Sequence, residues 1–221
     1  MTWSLLTNLV AYYKMETLTT DSVGSFSLTN NNSVASATWK IWNCADLWTA
    51  NTNKSLSTTS LPFVATWAFS VSLWAKMNTE ISSGSQTFFC LADYWTNWQQ
   101  NRIEYDFNWW SRRMRFIMNA ATLRDINSTT TLWTTNWNHF IITYSWWTWW
   151  TLTFYINGTS VWTNTWALSG SLGWTDIMTI WSLENLSQYA SSLIDEVWIW
   201  TKQLTSWEVT TLYNSWNWIT Y

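Results

Sequence analysis

LIDEVWIWTKQLTSWEVTTLYN, at residues 193–214, is the stretch from which the fold of this 221-residue chain is predicted. Apolar and β-branched residues alternate with polar ones over 193–200, which predicts a β-strand. Thr205 and Glu208 then have the spacing of a capping box, which predicts a short helix over 206–213. The chain is therefore expected to end on a strand followed by a helix.

The rest of the chain is divided into short alternating segments. They predict strands at 9–15, 41–47, 54–57, 69–76, 86–92, 102–107, 113–118, 139–144, 152–156 and 177–180. Asn157-Gly158 favours a two-residue type I′ hairpin turn. Strands at this spacing predict an all-β fold, a two-sheet antiparallel β-sandwich with a short C-terminal helix. No Pro/Gly linker or repeat interrupts the chain, so residues 1–221 are predicted to form a single domain.

Both ends of the chain resemble the laminin-G-like, concanavalin A-like lectin/glucanase family. The C-terminal stretch resembles the family ending L-I-D-E-V-x-I-W-x-x-x-L-T-x-x-E-V-x-x-L-Y-N, and LVAYYKM at 9–15 resembles the opening L-V-A-Y-Y-x-x-E/D. The resemblance extends over nearly the whole chain. It implies a jelly roll of the concanavalin A-like type, either in a carbohydrate-binding lectin or in a glucanase.

Tryptophan stands at many positions where the family has glycine. The chain has 25 Trp and only 5 Gly, whereas Gly averages about 7% of residues. Only Trp74, Trp137 and Trp200 fall where the family expects an aromatic residue. Our hypothesis is that the gene comes from a bacterial lineage with an alternative genetic code, in which UGA encodes glycine at the other 22 positions. The alternative is a protein truly rich in Trp, with aromatic platforms for sugars.

Composition and charge narrow the classes of function. The net charge of −3 provides no basic surface for nucleic acid. No apolar run approaches the length of a membrane span, so no membrane insertion is expected. Abundant Ser, Thr and Asn are typical of extracellular or cell-surface β proteins, although the chain shows no clear signal peptide. Cys44 and Cys90 are expected to be buried and free more often than bridged.

The sequence argues against catalysis. Glucanases of this family place three acids on one strand as E-x-D-x-E, but Glu104-Tyr105-Asp106-Phe107-Asn108 ends in an amide that cannot act as an acid. His139 is the only histidine, and it lies within a predicted strand. A lone strand histidine is more often packed than catalytic. The chain is therefore predicted not to be an enzyme.

The resemblance implies one structural calcium near the meeting of the first and last strands. Asp195 is the first candidate ligand, because it is predicted to share the apolar face of its strand with Leu193, Val197 and Ile199, where a carboxylate needs compensation. Asp21 and Glu16 are further candidates, since calcium prefers oxygen ligands. The alternative for Asp195 is an ion pair with a lysine or arginine, or hydrogen bonds from the N–H groups of a neighbouring loop.

One dense polar cluster is the candidate contact surface for a sugar, whose recognition needs polar side chains beside an aromatic face. It comprises Asp93, Tyr94, Asn101, Arg102, Glu104, Asp106, Arg113 and Arg115. The alternative is a solvated outer hairpin in which acids on one arm pair with arginines on the other.

These features together predict a non-catalytic binding module for glycan or cell-surface protein recognition and adhesion. The first alternative is a structural interaction domain of a surface or phage-tail-like protein. A degenerate β-glucanase is the second, and it would lose release of reducing sugar on Glu104→Gln.

Overall fold

The protein folds into two antiparallel β-sheets that pack face to face, as seen in a computed structural model. The structure describes residues 3–39, 43–47, 53–61, 68–78, 84–92, 100–108, 111–119, 123–127, 135–145, 151–164, 177–180, 182 and 191–214. Two short helices complete the described elements. The predicted all-β sandwich with a short C-terminal helix is confirmed, while the assignment of 1–221 to one domain stays a prediction.

The first sheet has eight strands, and it contains the first and the last of the described strands. Seven strands lie in the order β13 (Thr159–Asn164), β12 (Thr151–Ile156), β11 (Asn138–Ser145), β6 (Phe69–Met77), β15 (Ser192–Trp200), β4 (Asn43–Asp46) and β3 (Ala35–Thr38). The eighth strand, β1 (Leu9–Tyr13), also pairs with β15. The predicted C-terminal strand therefore lies at the centre of this sheet, beside the first strand of the chain.

The second sheet has seven strands and carries the hairpin of alternating charges. Its order is β10 (Leu123–Asn127), β9 (Ser111–Asn119), β8 (Gln100–Asn108), β7 (Gly84–Ala92), β14 (Ile177–Ile180), β5 (Ser55–Thr58) and β2 (Thr29–Asn31). Strands β2, β3 and β10 were not predicted from the sequence. The hairpin predicted at 102–118 is confirmed as β8 and β9.

Alternating apolar residues from both sheets form the main core. In β6 the core residues are Phe69, Val71, Leu73 and Ala75, as the alternation predicted. Facing residues of the second sheet include Ile103, Met114, Phe116, Leu56, Met178 and Ile180. Each strand therefore turns its other set of side chains to the outer face of its sheet.

A bulge in β15 corrects the predicted position of Asp195. Glu196 has a φ of 51°, and the pairing of β15 with β6 shifts between Asp195 and Trp198. The one extra residue changes the phase of the strand, as bulges do. Val197 and Ile199 point into the core, but Asp195 lies opposite Trp74 on the outer face. The prediction that Asp195 shares a face with Val197 and Ile199 is therefore wrong.

The outer face of the first sheet is covered by the two helices, α1 (Trp3–Leu6) and α2 (Ser206–Tyr213). A second core there contains Leu5, Tyr12, Ile141, Trp198, Trp200, Leu204, Val209 and Leu212. The predicted capping box is confirmed, because Thr205 Oγ1 accepts from Glu208 N at 3.2 Å and Thr205 N donates to Glu208 Oε2 at 2.9 Å. Neither described helix is long and apolar enough to cross a membrane.

Two smaller predictions also hold. Asn157 and Gly158 have φ values of 50° and 75°, which is the geometry of the type I′ turn expected between β12 and β13. A Cβ on Gly158 would lie 2.6 Å from the Tyr213 ring. The positive φ and this close contact therefore both favour glycine at the position. Cys44 and Cys90 are both buried, and neither is part of a disulfide bond.

Candidate ligand-binding face

The outer face of the second sheet brings polar side chains from neighbouring strands together. Glu104 of β8 pairs with Arg115 of β9 on one side and with Thr87 of β7 on the other. Arg102 pairs with Cys90 in the same way. Ile103, Met114 and Phe116, which neighbour these positions along the strands, enter the core, so this set points away from it.

Arg102, Glu104 and Arg115 form a compact ionic group on this face. Arg102 Nε lies 2.7 Å from Glu104 Oε2, and Arg115 Nη1 lies 3.2 Å from Glu104 Oε1. The Glu104 side chain is 0% exposed, whereas those of Arg102 and Arg115 are 18% and 16% exposed. The cross-strand pairing of acids with arginines is confirmed, but the alternative of a solvated hairpin is wrong for Glu104. A buried carboxylate with two cationic partners is a fixed hydrogen-bond acceptor.

The remaining predicted contact residues are only partly described. Asp106 and Arg113 lie opposite each other on β8 and β9, at register positions of the same parity as Glu104. Asn101 has the opposite parity, so the register does not place it in this group. Asp93 and Tyr94 lie outside the described residues. The structure thus unites Arg102, Glu104 and Arg115, three of the eight residues predicted.

The polar face continues onto strands for which the sequence predicts no site. Asn31 Nδ2 donates to Ser57 Oγ at 2.9 Å and to Ser55 Oγ at 3.2 Å, which joins β2 to β5. Thr179 Oγ1 of β14 donates to the carbonyl of Ser182. The sequence feature that could have indicated this part of the face is the run of small polar residues in β2 and β5. Too few apolar residues alternate with them to show which side chains point away from the core.

The predicted calcium region lies where β1 meets β15. Glu196 Oε2 accepts from the Tyr12 hydroxyl and, at 3.2 Å, from Trp198 Nε1. Burial raises the pKa of Glu196 to about 7 despite these bonds. Burial also raises the pKa of Asp195 well above its ordinary value, and the charge of Glu196 raises it further. Asp195 Oδ1 accepts from Glu196 N at 2.9 Å, a bond from the next residue of its own strand and not from a neighbouring loop.

The three predicted calcium ligands have different surroundings in the structure. Glu16 is close enough to raise the pKa of Asp195, and its Oε2 accepts from Asn43 N at 3.2 Å. Asp21 instead holds its own loop, because Oδ1 accepts from Tyr12 N at 2.9 Å and from Val23 N at 3.0 Å. Within the described ranges, no three His, Cys, Asp or Glu side chains are placed to hold a metal ion. Asp195 and Glu16 fit such a site better than Asp21 does.

His139 is packed inside the outer layer of the first sheet. Its ring stacks on those of Trp74 and Tyr213, with 4.7 Å and 6.0 Å between ring centroids. Its Nε2 lies 2.7 Å from Ser72 Oγ. Burial lowers the pKa of His139 to about 3. A Ser–His contact is one half of a nucleophilic site, but Ser72 is 0% and His139 1% exposed. The prediction that His139 is a packed strand residue is confirmed.

Eight of the 25 tryptophans are among the described residues. Three of them are buried, as predicted: Trp74, Trp137 and Trp200. Trp198 is also buried and stacks on Tyr12, with 3.8 Å between the ring centroids. Trp162 and Trp207 are 42% and 58% exposed. None of the eight has a positive φ, so their backbones do not require glycine. The segment 146–150 lies outside the described residues, and the glycine hypothesis rests on the sequence pattern.

Comparison with known proteins identifies the family. Residues 49–210 match the family model Laminin_G_3, described as the concanavalin A-like lectin/glucanases superfamily. No curated protein sequence matches the chain. One similar solved structure is domain 4 of AbnA, a GH43 extracellular arabinanase from Geobacillus stearothermophilus, in complex with arabinotriose. It is 21% identical with a TM-score of 0.71, and the match covers 93% of this chain and 98% of that domain.

Botulinum neurotoxin structures are similar at lower identity. One, of the type C toxin, comes from work on the dependence of cell entry upon two ganglioside molecules; it is 15% identical with a TM-score of 0.75. Another is the binding domain of neurotoxin DC in complex with rat synaptotagmin II, at 17% identity and a TM-score of 0.75. Each match covers 96% of this chain and 52% of the toxin chain, so the chain spans about half of their length. At these identities the likeness shows the fold alone.

Proposed function

The chain belongs to the concanavalin A-like lectin/glucanase superfamily, and on that premise we propose that it is a non-catalytic module that binds glycans outside the cell. The ionic group of Arg102, Glu104 and Arg115 carries the proposal. It combines charged donors and a buried acceptor on an outer sheet face, with two arginines that reach solvent. Sugar hydroxyls both donate and accept hydrogen bonds, so such a set can hold them.

The structural neighbours support a binding module. The arabinanase domain was solved with arabinotriose, and neurotoxin binding domains were solved with SialylT or with synaptotagmin II. These ligands belong to those proteins. They support binding by an exposed part of this fold, and glycans or cell-surface proteins as the partner class for this chain.

The same group supports the proposal that the chain is not a glucanase. A glycosidase of this kind needs one carboxyl group to donate a proton and a second to act as nucleophile or base. Glu104 is held between two guanidinium groups and is withdrawn from solvent. Asn108 replaces the third acid of the family pattern. The arrangement is suited to holding a ligand and lacks a proton donor at that position.

One structural calcium remains part of the proposal. Asp195 and Glu16 would be its carboxylate ligands, with backbone carbonyls completing the shell, because Asp21 is committed to its own loop. The ion would neutralise buried negative charge at the junction of β1 and β15. Its role would be to stabilise the fold, and no step of ligand binding depends on it.

A glycan array tests the proposed function. Purified chain is applied to immobilised arabino-oligosaccharides and sialylated oligosaccharides, alongside Glu104→Gln and the matched control Glu208→Gln. Glu208 is also buried and ion-paired, at 2.6 Å from Lys202 Nζ, but it lies in α2 on the other side of the molecule.

We expect the wild type and Glu208→Gln to bind the same glycans. Glu104→Gln should bind about tenfold more weakly, because a charged acceptor is lost. A wild-type chain that binds no glycan would overturn the proposal. That result would favour the alternative, a docking domain of a surface or phage-tail-like protein.

A further inference from the structure

Thr87 is the feature of the outer face that the proposed function does not explain. It lies on β7 directly opposite Glu104 and is 0% exposed. Among the residues that the structure describes, its hydroxyl has no hydrogen-bond partner. A buried hydroxyl without a partner lowers stability, so a protein gains nothing structurally by keeping it instead of valine.

Other hydroxyls on the same face have partners. Ser55 and Ser57 accept from Asn31, and Thr179 donates to a backbone carbonyl. Other described hydroxyls without a partner include those of Thr143, Ser182 and Ser192, and what distinguishes Thr87 is its position directly opposite Glu104. Thr87 therefore lies beside the one carboxylate that the two arginines fix in place.

We infer that Thr87 determines specificity at the proposed glycan site, reading, with Glu104, two adjacent hydroxyl groups of one sugar unit. The inference rests on the proposed function. One sugar hydroxyl donates to the Glu104 carboxylate, which can only accept, and its neighbour exchanges a hydrogen bond with Thr87 Oγ1. The partly exposed side chains of Arg102 and Arg115 change rotamer to admit the sugar. The ligand class is accordingly a sugar with a vicinal diol.

Two substitutions at Thr87 and one elsewhere test this. Thr87→Val removes the hydroxyl with little change of shape, and Thr87→Ser keeps it. Thr143→Val is the matched control, because Thr143 of β11 is also 0% exposed and its hydroxyl also lacks a partner, but it belongs to the first sheet. All three are titrated on the array of arabino-oligosaccharides and sialylated oligosaccharides, and their unfolding in urea is measured.

Thr87→Val is expected to bind about 3- to 10-fold more weakly to each glycan that the wild type binds, the equivalent of one lost hydrogen bond. Thr87→Ser and Thr143→Val should bind as the wild type does. Both valine variants should be at least as stable as the wild type, since each loses an unsatisfied hydroxyl.

The two proposals fail in different ways. If Glu104→Gln loses binding while Thr87→Val binds like the wild type, the role of Thr87 is refuted and the proposed function stands. Equal weakening in Thr87→Val and Thr143→Val would also refute it. If the wild type binds no glycan, both the proposed function and the role of Thr87 are refuted.

Discussion

His139 and Glu196 give the stability of the protein two opposing dependences on pH. Burial lowers the pKa of His139 to about 3 from 6.5. The unfolded chain therefore takes up a proton, as the pH falls through 6.5, that the folded chain excludes. Stability is fully present above that pH and is lost below it. Between about pH 7.5 and about pH 5 the loss from this one group is about 2 kcal/mol.

Glu196 acts in the other direction. Its pKa rises from 4.5 to about 7, so the folded chain holds a proton that the unfolded chain has already released. The stability from this group is present below pH 4.5 and is lost as the pH rises through about 7. Over the same interval, acidification therefore adds about 2 kcal/mol. Asp195, whose pKa is also raised, acts with Glu196.

Two variants separate the opposing contributions. His139→Phe keeps a ring between Trp74 and Tyr213, and Glu196→Gln keeps the size of the side chain. The free energy of unfolding is measured in urea with EDTA, so that no calcium ion keeps the carboxylates ionised, at about pH 7.5 and about pH 5, and it is compared with that of the wild type at each pH. Lost hydrogen bonds add an offset to each variant that does not depend on pH.

On acidification we expect His139→Phe to gain about 2 kcal/mol relative to the wild type, and Glu196→Gln to lose about 2 kcal/mol. Differences from the wild type that stay constant between the two pH values would refute the reasoning. So would two changes of the same sign.

Four further outcomes follow from the structure and the sequence. Thr205→Ala should lower the free energy of unfolding by about 1 kcal/mol, since a helix cap is lost, and an unchanged urea midpoint would contradict the capping box. Gly158→Ala should cost more than about 1 kcal/mol, because its φ is 75° and its Cβ would meet Tyr213; equal stability would contradict the turn geometry. Calcium should raise the melting temperature and EDTA should lower it, whereas no change in either direction would remove the proposed ion. We expect the coding DNA to carry UGA at most of the 22 unexpected Trp positions, and UGG there would end the glycine hypothesis.

Regular alternation was sufficient to predict the framework. It placed β6, β8, β9 and β15 to within two residues of their observed ends, because half-buried strands must alternate. The turn at Asn157 and the cap at Thr205 were predictable because each depends on local backbone chemistry. Strands β2 and β3 were missed, since polar and small residues dominate them.

The features that could not be predicted from the sequence depend on contacts between strands that are distant along the chain. The bulge at Glu196 places Asp195 on the opposite face of the strand from Val197 and Ile199. Nothing in an alternating pattern marks where an extra residue is inserted. The hairpin pattern correctly paired Glu104 with Arg115 but could not show that Glu104 is buried. Solvated and buried outer faces have the same alternation of charge. Thr87 was not singled out, because its missing partner is visible only when neighbouring strands are in place.

The central claim is that the outer face of the second sheet holds a sugar between Arg102, Glu104 and Arg115. A crystal structure of the chain with an oligosaccharide bound on the array tests it most directly. The account predicts a sugar unit within hydrogen-bond distance of Glu104, with the two arginine side chains displaced from their present positions. A sugar bound elsewhere, with this ionic group intact and out of contact, would contradict it.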